Sequence, residues 1–368
     1  MASVPSPAPT RQSAAAFPLG LSLTIDVLRA WANGDAVAGA ADPNTGRAAA
    51  ALLAQNRLLG LTGDLLLTAA PDGQVSDTIV AFRRLTAEMN GASLLLMRRL
   101  SVLLAKLPVD VVVYKGVVLQ MDLYGTPFAR PASDVDLLTA SANYKRVART
   151  LEAEGYRLDP HTDTLWWRRF LAEQQFRRAD DAQSIDLHHR IQQPGCPMPR
   201  RPARLIASAV PQRFLGGEVL TFRPDHALLV AAMSLAKALH HREPAGRYVG
   251  DVERMLRRLT PETWSAIREE AETLGLGRTL DLAVRCVDAV FGPFERPPGR
   301  AILADISDGD LQAMLLAPAQ AVTWVRRRRL LRELCDRPTD AVSAWLVMAA
   351  SETARRASAP RPILETAR

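Results

Sequence analysis

A short block of strand-forming sequence between two long helical stretches limits the fold of this chain more than any other feature. The block begins after Pro108, where residues 109–114 read VDVVVY and β-branched side chains favour a strand. Helical composition follows at 117–124 and 143–155. The middle block is therefore predicted to be α/β, with further strands at 134–138, 166–169, 174–178 and 184–188.

The sequence on both sides of this block is predicted to be helical. Apolar residues recur at intervals of three and four in 48–67 and 78–107, and no β-branched alternation precedes residue 109. Helical patterns return after residue 200, at 224–241, 249–259, 261–274, 278–291, 311–334 and 340–355. We expect five regions: a disordered tail (1–20), an N-terminal helical region (21–107), an α/β core (108–195), a C-terminal helical domain (196–356) and a second tail (357–368).

Composition excludes several classes of protein. Hydrophobic residues make up 48% and charged residues 23% of the 368, which is ordinary for a globular chain. No window reaches the roughly 18 apolar residues that a membrane helix needs. Cys196, Cys286 and Cys335 are too few and too widely spaced for a disulfide framework or a CxxC metal site. The proline-rich start is a poor secretory signal. We therefore expect a cytoplasmic protein without a membrane segment.

The formal charge of +7 indicates a weak preference for polyanions. Only four of the 46 basic residues are lysines, which leaves 42 arginines, a bias typical of GC-rich coding sequence. The run Arg326–Arg329 has two interpretations: a solvated helix face, or a patch for nucleic acid or another anionic partner. Nucleic acid is thus a weakly supported partner. The scarcity of lysine makes each one, Lys115 among them, unusual in this chain.

Paired carboxylates are the strongest chemical signal. Asp134 and Asp136 are two residues apart on a predicted strand, so their side chains point the same way, about 7 Å apart at the backbone. Like charges that close are unfavourable unless a cation lies between them, and Mg²⁺ prefers oxygen ligands. Asp186, between two apolar neighbours on another strand, could complete a site for two metal ions. The alternative is that Asp134 caps its strand and Asp136 meets solvent.

Lys115 and Gly116 follow the first predicted strand and precede a helix. Glycine there allows backbone amides to approach a phosphate, the helix N-terminus favours an anion, and lysine adds a positive charge. A plain turn is the alternative. Together with the three acids, this turn indicates a site for a phosphorylated ligand.

The order of these motifs resembles a known family. The similarity is carried by Tyr114-Lys115-Gly116, Leu123-Tyr124, Arg130, Asp134-Val135-Asp136-Leu137-Leu138, Gly155-Tyr156 and Ile185-Asp186-Leu187-His188. In this order they are similar to the bacterial "uncharacterised nucleotidyltransferase" family, a branch of the DNA polymerase β-like nucleotidyltransferase superfamily. The resemblance spans about residues 48–292, and includes a downstream Val249-Gly250-Asp251-Val252 segment.

The resemblance implies a fold class and a reaction. The fold would be α+β, a small mixed-sheet core flanked by N- and C-terminal helical regions. The three acids would bind Mg²⁺ (or Mn²⁺) and a nucleoside triphosphate, while a hydroxyl attacks the α-phosphate and pyrophosphate leaves. Carried over by position, the catalytic and metal-binding residues are Asp134, Asp136 and Asp186, and the expected nucleotide contacts are Lys115, Gly116, Arg130 and Ser133.

Four further residues are secondary candidates. His188 could orient Asp186 or touch substrate, or it could be a half-buried structural histidine. Lys237 and His240 could contact phosphate or acceptor. His240 and Asp251 lack the tight ligand spacing of a zinc site. We expect the C-terminal helices to form one wall of the cleft and to bring Lys237, His240 and Asp251 toward the acids.

Two hypotheses about function follow. The first is a metal-dependent nucleotidyltransferase whose hydroxyl acceptor is a peptide, a small metabolite, a tRNA or a protein. Relatives in natural-product gene sets suggest peptide natural-product biosynthesis. The second is a catalytically degenerate family member that binds a peptide or partner, because Val117 stands where the superfamily usually has Gly or Ser. A DxD glycosyltransferase would need a Rossmann-like domain before the acids, and residues 1–108 are helical instead.

Overall fold

One mixed β-sheet lies at the centre of the computed structural model, which describes residues 18–191, 194–293 and 299–358. Within those ranges the sheet has seven strands in the order β3-β4-β5-β2-β1-β7-β6. The strands are β1 (Val111–Val113), β2 (Asp134–Thr139), β3 (Arg157–Leu158), β4 (Glu173–Arg177), β5 (Ser184–His188), β6 (Val210–Phe214) and β7 (Gly217–Thr221).

The pairing of the central strands makes the sheet mixed. β2 runs antiparallel to β1 and parallel to β5, and β1 runs parallel to β7. The hairpin of β6 and β7 is antiparallel and closes one edge, while β3 and β4 close the other. The strands that carry the predicted acids, β2 and β5, are therefore neighbours near the middle of the sheet.

Helices surround the sheet. Side chains of Asp42 and Asp72 cap two of the N-terminal helices, and Thr260 and Ser307 cap two of the C-terminal ones. A π-helical turn, Trp167–Leu171, precedes β4. The helices are α1 (Leu21–Asn33), α2 (Pro43–Gln55), α3 (Leu59–Ala69), α4 (Gly73–Leu104), α5 (Gly116–Tyr124), α6 (Tyr144–Ala153), α7 (Pro202–Ala207), α8 (Pro224–His241), α9 (Gly246–Leu256), α10 (Pro261–Leu274), α11 (Gly277–Phe291), α12 (Asp308–Leu316), α13 (Arg327–Leu334) and α14 (Pro338–Ser358).

The two faces of the sheet belong to two apolar cores. Val111 and Val113 pack with side chains of α4 and α6, while Val112 between them joins a larger core built from α1–α3 and α8–α13. This alternation is the period of two expected along a strand. On β2, Val135 and Leu137 face the smaller core, so Asp134 and Asp136 face the helices of the larger one.

The structure confirms the α+β fold class with helical regions at both ends. One local prediction is wrong: residues 166–169, predicted as a strand, lie largely in the π-helical turn. Residues 210–221 fall in the predicted C-terminal helical domain but in none of its predicted helices. They form β6 and β7 because β7 pairs with β1, a partner more than 100 residues away that no local pattern reveals.

The predicted domain boundaries stay a prediction, although the sheet draws two of its strands from beyond residue 195. Helix 311–334 is interrupted and forms α12 and α13. The predicted tails lie mostly outside the described residues. No helix in the described ranges is both long enough and apolar enough to cross a membrane.

Candidate active site

A cavity of about 280 Å³ opens on the face of the sheet that carries the acids. Three parts of the chain contribute its walls: the turn before α3, the central strands with α5, and the helices α8 and α9. Its charged and polar lining includes Arg57, Lys115, Gln120, Arg130, Ser133, Asp134, Asp136, Glu173, Asp186, His188, Ser234, Lys237, Arg247, Tyr248 and Asp251.

The register of two parallel strands brings the three acids together. Asp136 on β2 is the direct partner of Asp186 on β5, and parallel neighbours lie about 5 Å apart. Asp134 precedes Asp136 by two residues and shares its face. All three line the cavity, and Asp136 and Asp186 are less than one-tenth exposed. The sequence pattern thus located three carboxylates that the fold does bring together.

Side-chain donors already contact these carboxylates. The Lys115 ammonium lies 3.5 Å from Asp136 Oδ1, and His188 Nε2 lies 3.1 Å from the same oxygen. Gln175 Nε2 donates to Asp186 Oδ1 at 3.0 Å. The Ser133 hydroxyl donates to Asp134 Oδ2 at 3.3 Å. Asp136 therefore has two cationic or polar neighbours, whereas Asp186 has only an amide.

The pKa values of the acids diverge for that reason. Burial would raise the pKa of Asp136, but Lys115 and then His188 outweigh it and hold that pKa well below its usual range. Burial, followed by the charges of Asp134 and Asp136, raises the pKa of Asp186 to about 7. Burial and then Asp136 also raise the pKa of Asp134. Negative charge is thus balanced at Asp136 and in excess at the other two.

The turn after β1 has the geometry that the motif predicted. Gly116 begins α5 with a φ of +62°, a left-handed conformation that favours glycine. A Cβ there would lie only 3.5 Å from the carbonyl oxygen of Asp134, so the turn also packs against the strand of acids. Lys115 lies over the ring of Tyr114, 4.7 Å from its centroid. Both residues line the cavity.

Arg130 and Asp251 form a buried pair in the same wall. The Arg130 guanidinium donates to both carboxylate oxygens of Asp251, with 2.7 Å between Nη2 and Oδ2, and the Tyr124 hydroxyl donates to Oδ1 at 2.7 Å. Asn90, from α4, accepts from the Ala132 amide and donates to the Arg130 carbonyl, which fixes the loop before β2. The pair joins the core to α9.

The other secondary candidates separate into two groups. His188 lines the cavity between Asp136 and Glu173, whose Oε2 lies 3.6 Å from Nδ1. Lys237 also lines the cavity, on the face of α8 that carries Ser234. His240, one turn further along α8, lies beyond the cavity against Gly195, and burial with the charges of His241 and Arg327 lowers its pKa to about 4. The structure thus does not bring His240 to the acids.

Several residues of the site were not predicted from the sequence. On β4, Gln175 pairs with Asp186 and Glu173 with His188, and their alternation on a strand was a usable signal. Arg57 comes from the turn between α2 and α3, and Arg247 and Tyr248 come from α9, where nothing local marks them as part of a cavity. Only the packing of the helices on the sheet brings them there.

The acids suit Mg²⁺ in donor chemistry and in charge. Carboxylate oxygens are its preferred ligands, and burial, followed by the charges of the neighbouring carboxylates, raises the pKa values of Asp134 and Asp186. No group of three or more His, Cys, Asp and Glu side chains in the described ranges is arranged to hold a metal ion. A bound ion would compete with Lys115 and His188, because both already contact Asp136.

Comparison with known proteins identifies a family. Residues 43–292, more than half of the chain, match a family model described as "Uncharacterised nucleotidyltransferase". Among solved structures, the chain is similar to an antigenic nucleotidyltransferase-like protein from Paracoccidioides brasiliensis, with 16% identity, 57% of this chain and 97% of that chain covered, and a TM-score of 0.30. No curated protein matches. The family match includes all three acids and both helical walls of the cavity.

Proposed function

The chain belongs to the uncharacterised nucleotidyltransferase family, and from this premise we propose that it is a metal-dependent nucleotidyltransferase. It moves a nucleoside monophosphate from a nucleoside triphosphate to a hydroxyl acceptor. The observation that carries the proposal is the convergence of Asp134, Asp136 and Asp186 in one cavity with Lys115 and the N-terminus of α5.

The proposed roles follow from the contacts. Asp134, Asp136 and Asp186 would hold Mg²⁺ or Mn²⁺, which when bound neutralises phosphate charge and lowers the pKa of an attacking hydroxyl. Lys115 and the backbone amides after Gly116 bind phosphate oxygens. His188 orients Asp136 through its 3.1 Å contact.

Ser133 and Arg130 have smaller proposed roles. Ser133 lies beside Asp134 and can donate to a phosphate that displaces their hydrogen bond. Arg130 lines the cavity while paired with Asp251, so it positions the wall of the cavity and contacts the nucleotide from there. Lys237 supplies a positive charge from the opposite wall.

We propose the acceptor as a chemical class, and the biological role as a type of biosynthesis. A hydroxyl on a peptide, a small metabolite, a tRNA or a protein satisfies the chemistry, and peptide natural-product biosynthesis is the setting that family resemblance favours. A cytoplasmic location is part of the proposal, supported by the free state of Cys196, Cys286 and Cys335.

Label transfer tests the proposal. The full chain is incubated with Mg²⁺ and each of four nucleoside triphosphates, labelled either at the α- or at the γ-phosphate. Separated peptide, metabolite, tRNA and protein fractions serve as acceptors. We expect label from the α-position alone to enter one fraction, and chelation of the metal to stop it. Transfer of γ-label would contradict nucleotidyl transfer and indicate a kinase.

A second candidate is a binding module without catalysis. It is favoured by the absence of a three-ligand metal cluster in the described part of the chain. Thermal unfolding distinguishes the two, because a ligand that binds the native state raises the melting temperature. A catalyst requires stabilisation by a nucleoside triphosphate that depends on Mg²⁺. A module that binds only a peptide or partner shows no nucleotide effect.

A further inference from the structure

Two arginines, one from each helical region, line the cavity beside the acids. Arg57 lies in the turn between α2 and α3, in the N-terminal helical region. Arg247 lies in the first turn of α9, in the C-terminal helical region. Neither belongs to the α/β core that carries the acids, so this part of the cavity is formed only when both helical regions pack on the sheet.

Neither arginine makes an ion pair among the described residues, although the charge of Asp134 acts on Arg57 at longer range. Arg57 Nη1 makes one long hydrogen bond, 3.4 Å, to the carbonyl of Pro131. Arg247 donates to the hydroxyl of Tyr248 and lies over that ring, 4.4 Å from its centroid. Arg130 in the same cavity is, by contrast, paired with both oxygens of Asp251. Two guanidinium groups thus line the cavity without an ion-pair partner.

The backbone conformation at Arg57 determines which substitution can test this residue. Its φ of +58° is in the left-handed region, where a side chain with a Cβ is disfavoured and glycine is the ordinary residue. Arg242 has the same backbone conformation outside the cavity, so the subsite rests on where the Arg57 guanidinium lies and not on its backbone. The Arg57 guanidinium is half-buried at the cavity wall, which is a reason for arginine rather than glycine in this turn.

We propose that Arg57 and Arg247 form an anion subsite that binds a phosphate group next to the three acids. Guanidinium groups bind phosphate oxygens in a bidentate manner, and two of them without carboxylate partners match a doubly charged group. The subsite deepens the proposed function and rests on it for its place in a reaction. The phosphate comes either from the phosphate chain of the donor nucleotide or from a phosphorylated acceptor.

A calorimetric titration with inorganic tripolyphosphate, in the absence of metal, tests the subsite. The full chain is compared with Arg57→Gly, which removes the guanidinium and relieves the backbone, and with Arg247→Gln. Arg242→Gly is the matched control, because Arg242 also has a left-handed φ, +61°, but stacks on Trp324 outside the cavity. We expect each cavity variant to weaken binding by about 10-fold or more and the control to leave it unchanged.

Melting temperatures separate binding from folding. Arg57→Gly should melt at the same or a higher temperature than the natural chain, because glycine adopts this φ without strain. Unchanged tripolyphosphate affinity in both cavity variants would overturn the subsite. Equal weakening in Arg242→Gly would overturn it as well, since the effect would then be general to the surface.

Nucleotide titrations identify the source of the phosphate. A donor source predicts that Arg57→Gly weakens binding of a nucleoside triphosphate but not of the monophosphate. An acceptor source predicts unchanged triphosphate binding, with inorganic phosphate still binding to the nucleotide-loaded natural chain and no longer to the variant. Either result supports the subsite. Binding through Arg57 and Arg247 without any label transfer would retain the subsite and contradict only the proposed enzyme.

Discussion

The cavity wall contains two groups of buried charge that differ in how completely their charges are balanced. Arg130 and Asp251 share two hydrogen bonds, and the Tyr124 hydroxyl adds a third to the carboxylate. At the acids, Lys115 and His188 both contact one oxygen of Asp136, while Asp186 receives one amide hydrogen bond. The paired residues Arg130 and Asp251 and the acids Asp136 and Asp186 are all less than one-tenth exposed, so burial alone does not distinguish the two groups.

The difference teaches how to separate structural from functional charge in this fold. A fully paired group loses its stabilising partner when either member is changed, which is the behaviour of a structural element. An incompletely balanced group holds its excess charge only because the fold imposes it, and a ligand of opposite charge relieves it. Four predictions test this distinction.

Asp136→Asn should have the largest effect on activity. The substitution removes the carboxylate that contacts Lys115 and His188 and lies beside the other two acids. We expect the rate of nucleotidyl transfer to fall by roughly 10³-fold or more. Rates of α-label transfer measure this, with circular dichroism as the check on folding. A variant that retains full activity would exclude Asp136 from the reaction.

Asp251→Asn should have the largest effect on stability. The change leaves the Arg130 guanidinium buried without its counter-charge, which costs about 3–5 kcal/mol of unfolding free energy. Urea unfolding measures the loss. The double variant Arg130→Met with Asp251→Leu should recover most of it, because no buried charge is then unpaired. No recovery would place the role of Asp251 outside this pair.

The sequence predicted this site unevenly, for physical reasons. The three acids followed from strand periodicity, which is local, and parallel pairing of β2 with β5 then brings Asp136 beside Asp186. The differences between the pKa values of these acids could not be predicted, because they depend on the neighbours Lys115, His188 and Gln175. Arg57 and the hairpin at 210–221 escaped prediction since their positions depend on contacts between segments distant in sequence. His240 was wrongly placed near the acids because a helix pattern does not show where a cavity ends.

The stability of the metal-free protein should depend on pH through Asp186. Its folded pKa of about 7 lies above the unfolded value of 3.8, so the native state binds the additional proton between these values. The contribution of Asp186 to the free energy of unfolding should therefore be fully present below pH 4. It should fall as the pH rises to 7, by at most about 4 kcal/mol.

Asp186→Asn is the variant that checks this assignment. It should flatten the fall of melting temperature between pH 5 and 7.5 (roughly the range above the unfolded pKa), and Mg²⁺ should restore stability to the natural chain at neutral pH. Asp136→Asn should not stabilise the metal-free protein at neutral pH as Asp186→Asn does, because Lys115 then loses its partner. Equal pH profiles for natural chain and Asp186→Asn would assign the excess charge elsewhere.

The smallest predicted effect concerns Lys115. This lysine balances the charge of Asp136, and it also faces the cavity. Lys115→Ala should weaken nucleoside triphosphate binding by about 1–3 kcal/mol, the scale of one charge-assisted contact. The same variant should bind Mn²⁺ alone more tightly, because the ammonium 3.5 Å from Asp136 no longer competes with the ion. Lys145→Ala, on the exposed face of α6, is the matched control and should change neither affinity. Calorimetry of metal and nucleotide separately resolves the two effects.

If Lys115→Ala weakens the binding of both ligands, the lysine is a structural partner of Asp136, as Arg130 is of Asp251. The distinction between the two charge groups then fails at this residue.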